Sequence, residues 1–184
     1  TYNNTALIYL ALYRVTGEKD ALDQGIALME KAIALEPSDS ILSGNLASVL
    51  MTSSLRQMFA GKVDFASLQS DPSVSDLGYL YADEAGYEAI RKQVAADPMM
   101  QRGIEYLKKS VMLAPKAARN YYSIYELAAF TRDQALLTYI GDKLSRSNID
   151  LEAAKKVSSD YINNVDQGEY NATTLSTLAT LRAL

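Results

Sequence analysis

Residues 25–37 read GIALMEKAIALEP, and residues 103–115 read GIEYLKKSVMLAP. Gly25 pairs with Gly103, Ile26 with Ile104, Met29 with Leu107, Lys31 with Lys109, Ile33 with Val111, Leu35 with Leu113 and Pro37 with Pro115. In both stretches the apolar residues recur three and four positions apart, which is one face of a helix. A small residue stands early in each, and a proline, which cannot continue a helix, stops each. Self-similarity of this kind is the signature of a stacked helical repeat.

Working outward, Asn4 reads as the N-cap of a first helix over residues 4–15, and Gly17 can take the left-handed conformation that ends it. The second helix spans residues 21–35. Ser38 or Asp39 then caps a third that reaches Phe59, before Gly61 breaks it. Residues 61–75 lose the periodicity. Asp64 can cap a single turn through Leu68, and Asp71-Pro72-Ser73 is a turn signal. The oxygen-rich run from Asp71 to Asp76 lacks the alternating acids, central glycine and bidentate glutamate of a calcium loop, and reads as an irregular insertion. Order returns at Asp83, a cap for a helix carrying Tyr87, Ile90 and Val94 on one face. Asp97-Pro98 ends it and opens the next, up to Leu113. Further helices are expected over residues 117–130, from Asp133 to about Leu144, from Asp150 to about Val165, and from Asn171 onward. No segment alternates with period two over a strand's length, so the chain reads as all-α.

Composition bounds what such a chain can do. Its 184 residues suffice for one buried core or about five helical hairpins. A formal charge of −4 supplies no basic stripe for phosphates, which argues against nucleic acid. The longest apolar run, from Ala6 to Tyr13, is far short of the roughly 20 residues of a membrane span. The first residues show no cleavable signal pattern. The chain has no cysteine, histidine or tryptophan. Disulfides, thiolate metal sites and thiol nucleophiles are thereby removed, together with the commonest general base and transition-metal ligand. The compartment, cytoplasmic or periplasmic, stays open. Helical rhythm persists to the last residue, as expected of a fragment of a longer protein.

Residues 84–117 resemble the tetratricopeptide repeat, a helix-turn-helix unit with large, small and proline positions at fixed offsets. Tyr87, Ile90, Gly103, Leu107, Ser110 and Pro115 fall on the family's positions, while Pro98 replaces its turn glycine and Val94 its tyrosine. Residues 5–39 keep Tyr9, Leu12, Gly25, Met29, Ala32 and Pro37. After Pro115, Tyr121 and Ile124 match, but bulky Tyr125 stands where the family wants a small residue. Residues 40–83 look like a degenerate unit and residues 150–184 like a diverged pair. The resemblance implies one all-α domain over residues 1–184, a right-handed α-solenoid of antiparallel hairpins with about eight or nine helices. Residues 61–75 would be an irregular insertion between repeats.

In that family the first helix of each pair lines a concave face that receives a peptide or protein segment. Counting from the aligned prolines, the concave candidates are Asn45, Ser48 and Thr52, then Glu88 and Arg91, then Arg119, Tyr122, Ser123 and Glu126. Some relatives bind C-terminal carboxylates through lysines and asparagines. Asn45 and Asn120 are present here without the matching lysines, so that clamp is not expected. The 13 tyrosines could stack on sugars, but at these spacings they suit the core of a repeat stack. Carboxylate pairs for glycoside chemistry, Asp83 with Glu84 or Asp150 with Glu152, are adequately explained as helix starts. The reading is a non-enzymatic scaffold or adaptor for a protein or peptide, with no catalytic residue, metal or cofactor. The alternatives are a carbohydrate- or envelope-associated binding module and an accessory domain of a larger enzyme.

Overall fold

A computed structural model describes residues 2–65 and 84–147, with the side chains of residues 118 and 119 outside the described set. The described residues form seven α-helices: α1 (Tyr2–Thr16), α2 (Lys19–Leu35), α3 (Ser40–Met58), α4 (Glu84–Ala96), α5 (Pro98–Leu113), α6 (Ala118–Thr131) and α7 (Gln134–Ser147). No strand occurs among the described residues, so the all-α expectation holds. The expected helices beyond Asp150, the turn through Leu68 and the oxygen-rich run from Asp71 to Asp76 lie outside them.

Local chemistry sets most boundaries. Asp39 caps α3 by accepting from the amides of Ile41 and Leu42 at 2.7 and 3.2 Å. Asp97 caps α5 through the Met100 amide at 2.8 Å, and Pro98 takes the first helical position, where a missing N–H costs nothing. Gly17 and Gly61 both have positive φ and stop α1 and α3, as their sequence positions predicted. Two ends differ from the sequence reading. Asn4 does not cap α1, because the helix already starts at Tyr2, whose ring packs on the core beneath the Lys31 ammonium, 4.5 Å away. The last turn of α7 continues through Ser147 instead of unravelling at Ser145. Ser145 Oγ bonds back to the Asp142 carbonyl, and Ser147 Oγ meets the Tyr121 hydroxyl at 2.9 Å.

Packing follows the glycines. Gly25 lies where α2 crosses α1, so close that a Cβ would stand 2.7 Å from Leu10 Cδ2 and 3.4 Å from the Ala6 carbonyl. Gly103 lies where α5 crosses α3, with a Cβ position 2.7 Å from Met51 Cγ and 3.2 Å from the Ala47 carbonyl. The two repeated helices therefore make the same crossing against the same type of partner. The partner of α5 differs from expectation. The sequence match paired α5 with α4, whereas α5 packs chiefly along α3 and touches α4 much less. The reason is surface: α4 has one buried residue, Val94, whereas α3 buries residues on two sides and gives Ala47 and Leu55 to the cluster that α5 joins.

The α3–α5 pair is antiparallel. Ser110 Oγ near the end of α5 donates to the Ser40 carbonyl at 2.7 Å, and Ser54 Oγ near the end of α3 donates to Asp97 at 2.7 Å. Asn120 on α6 completes the first of these seams by donating to Ser110 Oγ at 2.7 Å. Ser110 and Ser54 are buried, so each hydroxyl needs such a partner. Helices α6 and α7 form a third antiparallel pair around Tyr121. Its hydroxyl donates to the Pro115 carbonyl at 2.8 Å, which leaves Ser147 to donate to it.

Two apolar clusters share α3. Leu42, Leu46 and Leu50 join the residues of α1 and α2, while Ala47 and Leu55 join Ile104, Leu107, Ile124 and Ile140 from α5 to α7. Burial on two sides explains why α3 lacks one clean polar face in sequence. No helix among the described residues is long and apolar enough to cross a membrane.

Candidate functional site

Two places concentrate polar side chains on the helices expected to line a groove. The first lies between α1 and α3. Leu7, Leu10, Ala11 and Arg14 of α1, with Tyr13, face Val49, Thr52, Ser53 and Arg56 of α3 across an open cleft of about 210 Å³. The lining repeats in register, because 7, 10, 11, 14 and 49, 52, 53, 56 are the same helical spacing on two helices. Each series runs from an apolar residue to an arginine one face-length later. The Arg56 guanidinium donates to the Arg14 carbonyl at 3.4 Å, which puts both arginines at the same end of the cleft. Among the described residues no acidic side chain lines it.

The second place is the contact of α4 with the end of α6. Tyr87 donates to the Phe130 carbonyl at 3.1 Å, and Arg91 donates to the Thr131 carbonyl at 3.0 Å. These are last-turn carbonyls of α6, which have no partner within their own helix. A guanidinium there also meets the negative end of the helix dipole. Arg91 pairs in addition with Glu88. Arg132, which ends α6 with a left-handed φ of 53°, reaches back to Glu88 at 3.0 Å and Glu84 at 3.4 Å. Its guanidinium lies 5.5 Å from the Tyr87 ring centre, and Tyr87 meets Phe130 edge-on at 5.6 Å. The hydrogen bond from Arg91 holds the Glu88 carboxyl below the usual glutamate range, against a smaller opposing effect of desolvation.

Each sequence candidate can now be placed. Thr52 lines the α1/α3 cleft. Ser48 stands exposed one turn earlier on α3, and Asn45 is half-buried a turn before that. Glu88 and Arg91 are brought together, and both are engaged in fastening α4 to α6. Tyr122 is only 5 % exposed and belongs to the interior of α6, while Ser123 and Glu126 are half-buried and engaged in contacts of their own. Arg119 falls on α6, and its side chain lies outside the described residues. Asn120, weighed for a carboxylate clamp, is committed to Ser110.

Leu7, Ala11, Arg14, Val49 and Arg56 line the same cleft and were not among the concave candidates. Their signal was present, since both first helices carry an arginine seven residues after an apolar residue. The concave candidates were counted on α3, α4 and α6, so α1 supplied none of them. Asp83, Asp150 and Glu152, considered as acids for glycoside chemistry, lie outside the described residues, and Glu84 is paired with Arg132. Among the described residues no group of three or more acidic side chains is placed to hold a metal. No protein-family model, curated protein or solved structure matches the chain.

Proposed function

We propose that this chain is a non-enzymatic interaction scaffold built from tetratricopeptide-like helical hairpins, and that it receives an extended protein or peptide segment in the cleft between α1 and α3. The observation that carries this reading is the cleft itself, formed by the first helices of the two antiparallel pairs that meet at the Gly25 and Gly103 crossings. At about 210 Å³ it lies below the range of roughly 300–1,000 Å³ usual for small-molecule and cofactor sites. It suits one or two side chains of a longer ligand whose backbone runs outside. Its walls sit on packed helices, so binding requires little ordering of the receptor. The carbohydrate alternative draws less support, because Tyr121 and Tyr122 are buried and the Tyr87 ring is covered by Phe130 and Arg132.

Panning a displayed random-peptide library against the chain tests the reading, with Ala11→Trp as a variant that fills the cleft from an exposed position. Peptides should be enriched that bind the native chain and lose binding to the variant, while circular dichroism shows unchanged helicity. Enrichment of peptides that bind both proteins equally would place recognition elsewhere, and a failure to enrich any peptide would remove the proposal.

A further inference from the structure

Helix α1 is apolar on the face turned away from the stack as well as on the face that joins it. Between Tyr2 and Val15 its only charged residue is Arg14, which lines the α1/α3 cleft. Opposite the buried Ala6, Leu10 and Tyr13 stand Ile8, Leu12 and Val15, which are 70 %, 43 % and 83 % exposed. Leu7 and Ala11, also exposed, border them on the cleft side. A helix that is apolar all round is ordinarily covered on every side, and an outermost helix of a stack needs a polar outer face to stay single in water.

The order of residues along that face says what covers it. Asn4, Ile8, Ala11, Val15 and Glu18 are four, three, four and three positions apart, the spacing of a coiled-coil seam. Read in reverse the spacing still alternates, so the seam fits a reversed copy of itself. With two α1 helices antiparallel, Ile8 of each lies over Ala11 of the other, large against small, and Val15 lies over Asn4. Leu7 and Leu12 flank the seam on its two sides. The same order sets the positive end of each α1 dipole beside the negative end of the other. The seam is uncharged from Asn4 to Val15, so the aliphatic surface is buried there without stripping water from an ion.

We propose that α1 pairs with α1 of a second copy of this chain in this antiparallel register. A two-fold pairing uses one patch on both copies, so every contact is made twice. One helix face per copy falls at the low end of specific interfaces, which bury about 1,200–2,000 Å² in total, so the dimer is weak and reversible. The pairing does not rest on the peptide-binding reading above.

Sedimentation velocity of the full chain between about 1 and about 500 µM tests this, a range that brackets a weak dimer. The average mass should rise from one chain toward two. The rise should come at lower concentration as salt is added, because salt screens the formal charge of −4 on each copy and spares the apolar contact. Ile8→Glu should stay a single chain at every concentration with unchanged helicity by circular dichroism, since Ile8 is exposed and its loss leaves the core intact. Adding Ala11→Lys to that variant should restore pairing at low salt, because each glutamate then faces a lysine of the other copy. A native chain that stays single throughout, or an Ile8→Glu variant that pairs as the native chain does, would overturn the proposal. A double variant that stays single would overturn the antiparallel register.

Discussion

Gly103 shows how a single missing methyl decides a helix crossing. In an isolated helix alanine is favoured over glycine by about 1 kcal/mol. At Gly103 the added Cβ would stand 2.7 Å from Met51 Cγ and 3.2 Å from the Ala47 carbonyl, and the second of these belongs to a helix backbone that cannot yield alone. Gly141 on α7 has nothing within 4 Å of its Cβ position. The same substitution should therefore have opposite signs at the two sites. Gly103→Ala is expected to destabilise by about 1–3 kcal/mol through overpacking. Gly141→Ala is expected to stabilise by about 0.5–1 kcal/mol. Urea denaturation of both variants checks the pair, and a stabilising Gly103→Ala would mean that α3 and α5 are not in this close contact.

At the scale of elements, α4 is held by polar chemistry more than by burial. Only Val94 is buried on it, so Tyr87, Glu88 and Arg91 secure it to the end of α6. That arrangement carries a pH signature. The Glu88 carboxyl lies below its ordinary value of 4.5, chiefly through its hydrogen bond with Arg91, so protonation is harder in the folded state. Its contribution is complete above that ordinary value and is lost as pH falls through the lowered one. Thermal unfolding followed from neutral pH to about pH 3 should show a shallower acid decline in Glu88→Gln than in the native chain. Identical acid limbs in the two proteins would show that the carboxylate is not coupled to folding. The sequence marked Glu88 and Arg91 as exposed concave positions. It could not show that the end of α6, with its left-handed Arg132, would arrive beside them.

For the molecule as a whole, the shared helix α3 predicts the order of opening. Among the described residues α1 packs on one side only, and its outer face leaves Ile8 and Val15 70 % and 83 % exposed. α3 is enclosed by α1 and α2 on one side and α5 on the other. Native-state hydrogen exchange should therefore release the amides of α1 well before those of α3 and α5, since stability in a stack is a sum of nearest-neighbour interfaces. Equal protection of α1 and α3 would mean that the chain opens as one unit.

The sequence by itself determined the helical class, the stops at Gly17 and Gly61, a cap at Ser38 or Asp39, the helix opening at Asp97-Pro98 and the likeness of residues 25–37 to residues 103–115. All of these are written in periodicity and in residues acting on their immediate neighbours. Which helix α5 would choose was decided only in three dimensions. The repeat pattern pointed to α4 because it lies next to α5 in sequence. The apolar area of α3, more distant along the chain, outweighed that proximity, since loop-closure entropy grows only slowly with length while buried surface counts in full. The cleft has the same origin. Arg14 and Arg56 are ordinary surface arginines in the sequence, and they become neighbours at one end of the cleft only when α1 and α3 are placed side by side.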